Sequence, residues 1–265
     1  SSGTHRGGSI SLTNRASVFG TGDHSPVIIL QSIGGGGGFA GAVMGSTETL
    51  QLGSTSFRGG VSDGGSVSLT QRGDELISRG NNSAVIRVQS IGGGGGAVAS
   101  NLTNLSLGAS GSGTGSGGTV TVSNQGVRIS EGRNAMGLLA QSIGGGGGMA
   151  GLSSGSRLTL GGSLQGSGNG GAVTVTNAGA ITTLGINSAA LLAQSIGGGG
   201  GTVATASGAS TQLGGSDATL ANAADVSVTN RSSLQTAGNG SPTLMVQSIG
   251  GGGGFVAQAN PTKEG

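Results

Sequence analysis

The sequence has no cysteine, no tryptophan and no tyrosine, and only 3 prolines and 4 phenylalanines (Phe19, Phe39, Phe57 and Phe255) in 265 residues. Lack of cysteine excludes disulfides and thiolate metal sites. Lack of large rings removes both the usual material of a globular core and the stacking platforms of a nucleic-acid interface. Charge is scarce as well, with 8% charged residues and a net charge of +2. An isoelectric point near 10.4 therefore reflects how few groups titrate, not a basic patch, and no nucleic-acid partner is expected. No stretch approaches the ~20 apolar residues of a membrane helix, so this segment is not expected to insert into a membrane. The opening SSGTHRGG has no initiating Met and no charged and apolar leader, which predicts an internal or processed fragment.

What the chain has in quantity is glycine, 64 residues of it. Collagen is excluded because the glycines follow no three-residue period, and a disordered tail would carry more net charge and less aliphatic material. The string QSIGGGGG occurs five times, beginning at Gln31, Gln89, Gln141, Gln194 and Gln247. The intervals are 58, 52, 53 and 53 residues, so units of this length fill the chain as one continuous repeat array, residues 1–265. The units run approximately 1–38, 39–96, 97–148, 149–201 and 202–254, with 255–265 entering the next.

Upstream of each tract lies a segment in which apolar and hydroxyl residues alternate: GSISLTN (8–14), GSVSLTQ (65–71), GTVTVSN (118–124), GAVTVTN (171–177) and ADVSVTN (224–230). Alternation with period two predicts a strand with one face buried. The terminal Asn14, Asn124, Asn177 and Asn230, with Gln71 in the second unit, predict turns and, if units stack, a ladder of side chains satisfying turn backbone. Further short strands are predicted at Ala180–Thr183, at Ala189–Ile196 after a Gly-x-Asn-Ser turn, and at Leu50–Leu52, Leu105–Leu107, Leu158–Leu160 and Thr211–Leu213. Such short strands with no helix between them predict an all-β parallel solenoid, each strand pairing with its equivalents above and below. A coil of about 26 residues gives two coils per unit and a rod of about ten coils, roughly 50 Å long at ~4.8 Å per coil; three smaller coils per unit remain open. The glycine columns predict close approach of two walls or sharp turns at positive φ.

The VTVTN strand, the Gly-x-Ile-x-Thr element and the Asn-Ser-x-x-Leu-Leu-Ala-Gln-Ser-Ile-Gly-Gly-Gly-Gly-Gly run, best seen over 171–201, resemble the glycine-rich passenger regions of Gram-negative autotransporters, the type V secretion proteins. The resemblance covers all five units and implies a right-handed parallel β-helix at the bacterial cell surface. It further implies a C-terminal outer-membrane barrel elsewhere; separately, neither end of the array looks capped, which predicts a natural protein that continues both ways. The role expected of such a repeat array is a structural and adhesive stalk, mediating attachment, aggregation or biofilm formation through a glycan or protein receptor on a host or neighbouring cell. The second unit departs most, reading TQRGDELISRGNNSAVIRVQS.

Few residues offer chemistry. Arg72-Gly73-Asp74 is an adhesion-type tripeptide in the turn after GSVSLTQ, and its ordinary reading is a solvated charged turn. Asp23-His24-Ser25 holds the residue types of a hydrolase triad, but sequence neighbours do not converge as a triad must. A phosphate cradle needs Lys and Ser or Thr after its glycines, whereas Phe39, Ala97, Met149, Thr202 and Phe255 follow these. No catalytic residue, cofactor or metal is expected. Thr-x-Thr pairs such as Thr174 with Thr176 suggest an alternative, a flat binder of ice or polysaccharide. Against it stand the mixture of Ser with Thr and the expectation that the array skips coils.

Overall fold

The computed structural model describes residues 4–41, 49–54, 60–108, 114–162, 168–207, 210–215 and 221–260. It is a parallel β-solenoid whose described residues form strands in four sheets and no helix. Sheet A stacks Ile10–Asn14, Val67–Gln71, Val120–Asn124, Val173–Asn177 and Val226–Asn230. Sheet B stacks Val18–Gly20, Glu75–Ser78, Val127–Ser130, Ile181–Thr183 and Leu234–Thr236. Sheet C stacks the strands that carry the QSI motif, Ile28–Ile33, Ile86–Ile91, Leu138–Ile143, Leu191–Ile196 and Leu244–Ile249. Sheet D follows the glycines, with Gly37–Ala40, Gly95–Leu107, Gly147–Leu160, Gly200–Ser207 and Gly253–Asn260, joined by Thr49–Leu52 and Ser210–Leu213.

Every pairing is parallel and links a residue to its counterpart one whole unit away, as in Val120↔Val173 and Gln141↔Gln194. Each unit is therefore one large coil. This corrects the expectation of two or three coils per unit: the rod has five coils, and its four inter-coil steps of ~4.8 Å span only about 20 Å. The smaller coil was inferred from strand length alone. Period-two alternation marks a buried face without saying how many strands lie between one coil and the next.

A wide coil needs more than one core. Inward residues of sheets A, B and C, among them Val67, Leu69, Leu76, Ile86 and Val88, fill the first. Sheet D leaves the tract along one arm and returns along another, so Val98 shares a second core with Leu105 and Leu107, as Ala150 does with Leu158 and Leu160. Sheet C is buried on both faces, because Leu139, Met136 and Met149 pack on the side away from the first core.

The five glycines sit where these lobes join. Within a coil the second glycine binds a chain pass on each side: Gly145 N–H donates to the Gly115 carbonyl, and the Gly145 carbonyl accepts from Gly162 N–H. The third and fourth bind along the rod axis, as Gly146 N–H to Gly92 O and Gly147 N–H to Gly94 O. Bonding in two perpendicular directions requires positive φ, +83° at Gly145, +87° at Gly146 and +130° at Gly147. A Cβ on Gly147 would collide with the Gly200 carbonyl. Both close approach and positive φ, anticipated as alternatives, are present together.

Candidate functional site

The corner between sheets A and B holds most of the residues singled out in the sequence. Asn124 Nδ2 donates to Asn177 Oδ1 at 2.6 Å, and Asn177 Nδ2 to Asn230 Oδ1 at 2.7 Å. Asn177 and Asn230 also donate to the carbonyls of Gly179 and Ser232, two residues on, so each closes its own turn. At the other end Asn14 donates to Gln71 Oε1 at 2.9 Å. Between Gln71 and Asn124 the chain of bonds breaks, and the buried Gln71 Nε2 has no partner. The cause is Arg128, whose Nε takes Asn124 Oδ1 at 2.6 Å while its remaining nitrogens bind the Val127 and Gln125 carbonyls. Arg128 stands in a column with Val18, Leu76, Ile181 and Leu234, a core position, and burial pushes its guanidinium down to about 10.

Arg72-Gly73-Asp74 occupies the same corner in the second coil. Register pairs Gln71 with Asn124 and Leu76 with Arg128, so this coil has one more corner residue than the third. Gly73 is buried, and a Cβ there would collide with the Ala16 carbonyl. Arg72 and Asp74 are exposed, while their backbones stay in the stack through Arg72 N–H to Asn14 O at 2.8 Å and Val127 N–H to Asp74 O at 2.7 Å. The tripeptide thus displays two opposite charges on a fixed backbone.

Asp23, His24 and Ser25 do not converge. The Asp23 carboxylate accepts from Asn81 N–H at 2.7 Å, which holds its pKa below the ordinary carboxylate value, and Ser25 Oγ donates to the Asp23 backbone carbonyl. His24 occupies a left-handed turn column with Asn82, Asn134 and Asn187, all near φ +55°. No group of three or more His, Cys, Asp or Glu side chains suited to a metal ion occurs among the described residues.

Three structural devices escaped the sequence reading although their residues lay inside its repeat. Gln31 donates to Gln89 at 2.8 Å, Gln89 to Gln141 at 2.7 Å, Gln141 to Gln194 at 2.5 Å, and Gln194 to Gln247, a ladder along the whole rod. Ser32, Ser90 and Ser142 beside it each clip two coils: Ser142 Oγ donates to the Gly118 carbonyl and accepts from Gly171 N–H. The third is a shorter ladder, in which Asn134 donates to Asn82 and Asn187 to Asn134. The recurrence of Gln, Ser and Asn at fixed positions was the available signal.

A second buried arginine lies in the second coil. Arg87 replaces the aliphatic residue found in its column as Ile29, Leu139, Leu192 and Met245. It is 1% exposed, its Nε and Nη1 have no hydrogen-bond partner, and its guanidinium carbon stands 5.7 Å from the centre of the Phe39 ring. Burial pushes it down to about 10. Register sets Ala84 and Ala97 at the places of Met136 and Met149, and these small neighbours make room for the longer side chain.

With one coil per unit, the hydroxyl pairs of sheet A recur on every coil, which removes one of the two objections to a flat binding face. No helix among the described residues is long and apolar enough to cross a membrane. No protein-family model, curated protein or solved structure matches this chain.

Proposed function

We propose that this chain is a non-enzymatic structural and adhesive stalk of a secreted or surface-displayed bacterial protein. The observation that carries the reading is the use of the polar groups. Ladders of Gln and Asn, serine clips and glycine junctions all bind one coil to the next, so the polar groups that the repeat supplies at these positions are used in holding the stack together. Wide coils tied in this way make a rod that resists bending, which suits the display of loops away from a cell. Arg72 and Asp74 on the inserted corner are the groups through which a receptor protein or glycan on a neighbouring cell would be engaged.

Displaying the chain on a non-adhesive bacterium, fused to an outer-membrane barrel, tests this. Settling of the culture and attachment to animal cells or glycan-coated surfaces are expected, and Arg72→Ala with Asp74→Ala reduces the attachment. A folded, displayed chain that supports neither settling nor attachment overturns the reading.

A further inference from the structure

Sheet A turns two files of hydroxyl side chains outward. Ser11, Ser68, Thr121, Thr174 and Ser227 form one, and Thr13, Thr70, Ser123, Thr176 and Thr229 the other, each residue in register with the next. Steps along a file are ~4.8 Å, and the files stand about 6.6 Å apart, two residues along a strand. Six of the ten are exposed and the other four half-buried.

Two observations separate this face from an ordinary solvated strand. First, none of the ten hydroxyls takes part in a hydrogen bond with another described residue. Hydroxyls elsewhere hold the fold: Ser32, Ser90 and Ser142 each clip two coils, Ser188 Oγ accepts from Ala135 N–H, and Thr183 Oγ1 donates to the Ser188 carbonyl. Second, the fold does not impose hydroxyls on outward positions. The outward file of sheet B reads Phe19, Ile77, Ile129, Thr182 and Gln235 in the same five coils.

We propose that the outer face of sheet A binds the surface of ice. None of the ten residues is charged, and the exposed Arg15, Arg72, Arg231 and Asp225 stand only at the ends of these strands, so the two files themselves offer nothing to a nucleic acid, an anionic lipid or a charged glycan. A hydrogen bond exchanged with water contributes only about 1 kcal/mol, so a single hydroxyl selects nothing. Gain comes from a partner that engages many hydroxyls at once and is already ordered, because a flexible chain loses its freedom on binding. Ice is such a partner: flat, rigid, uncharged and periodic, with each oxygen both donor and acceptor, as each hydroxyl is. A polysaccharide shares the hydroxyls but also presents apolar ring faces, and no aromatic side chain stands among these ten to cover them. The inference is independent of the stalk reading, since attachment to cells and binding to ice are read in separate assays.

The test grows an ice hemisphere in a solution of fluorescently labelled chain and follows grain size in a frozen film. Incorporation into ice and retarded grain growth are expected. Thr121→Tyr with Thr174→Tyr breaks the flatness in the middle of the array while keeping strand propensity, and lowers incorporation by about tenfold or more. Ser123→Tyr serves as a second disrupting variant, and Thr182→Tyr on sheet B leaves incorporation unchanged; circular dichroism checks that each folds. Exclusion of the unmodified chain from ice overturns the proposal, as does full incorporation of the folded sheet A variants. Binding to an insoluble neutral glucan together with exclusion from ice assigns the face to polysaccharide and overturns it equally.

Discussion

The glycine junction and the sheet A–B corner are built from the same five coils, yet they treat sequence variation in opposite ways. At the junction every unit reads QSIGGGGG, whereas the corner accepts an inserted residue at Arg72–Glu75 and an arginine at a core position in Arg128. The difference lies in what the neighbouring coil occupies. Across the junction the next coil's carbonyl stands where a Cβ would go, and the bonds run both within the coil and along the axis. At the corner Arg72 and Asp74 put their side chains into solvent while their backbones stay bonded to the neighbouring coils, so the backbone stack survives. Columns tolerate change where they have somewhere to put it.

The sharpest way to break this comparison is Gly147→Ala. Its methyl would collide with the Gly200 carbonyl at a φ of +130°, and movement of either strand disturbs coils on both sides. A loss of about 4 kcal/mol or more is expected, beyond what ordinary substitutions cost. Gly8→Ala is its control, with nothing within 4 Å of the added carbon and no positive φ, and it stays within about 0.5 kcal/mol. Denaturant unfolding of the two variants measures both. Equal, small losses would show that the glycines are replaceable linkers.

Gln141→Ala comes next. Gln141 accepts from Gln89 and donates to Gln194 and Thr202, all buried, so its removal orphans the Gln89 donor above, while Gln194 Oε1 below keeps the Thr202 hydroxyl as its donor. About 2–4 kcal/mol is expected to be lost, because the stranded buried donor costs roughly 1–3 kcal/mol and the lost bonds to Gln194 and Thr202 about 1 kcal/mol more. Asn230→Ala at the corner, where the residue is exposed, costs about 1 kcal/mol or less by the same argument.

The two arginines sharpen the comparison from the other side. Arg128 satisfies itself on carbonyls and Asn124, whereas Arg87 leaves Nε and Nη1 bare against Phe39. Arg87→Met is therefore expected to stabilise the chain by about 1–3 kcal/mol, since an unpaired buried charge is replaced by an apolar side chain of similar length. Arg128→Met is expected to destabilise it by about 1–3 kcal/mol through the carbonyls left behind. Burial lowers the Arg87 pKa to about 10, below that of the unfolded chain. Its charge thus destabilises the fold fully below about pH 10, and the fold gains stability as pH rises from there toward the unfolded pKa. The advantage of Arg87→Met should accordingly shrink above pH 10, which thermal melts at pH 8 and pH 11 would register.

Strand positions and the repeat were legible because period-two alternation and recurrence are written in one dimension. VTVTN announced sheet A, Asn177 its turn, and the glycine columns their close contacts. Coil size was not legible: QSI, the tract and Leu158–Leu160 all read as strand or turn, and nothing local says that the chain visits four sheets before returning. The error propagated, since a coil half as large made the Ser and Thr pairs seem to skip alternate coils. Arg87 and Arg128 were hidden for a different reason. In a strand, burial of a charged side chain depends on which face the register assigns it, and they became visible as core residues only when aligned with Leu139 and Ile181.

The smallest expected effect bears on the outer face of sheet A. Thr121→Val removes a hydroxyl without a protein partner and replaces it with a methyl on a residue of equal branching and high strand propensity. Stability should change by less than about 0.5 kcal/mol, whereas Ser142→Ala, the loss of a clip between coils, should cost about 2 kcal/mol. If Thr121→Val instead cost as much as Ser142→Ala, the outer hydroxyls would be part of what holds the coils together and could not be free to meet an external lattice. A negligible change, measured by denaturant unfolding at equal protein concentration, leaves them as groups the fold itself does not use.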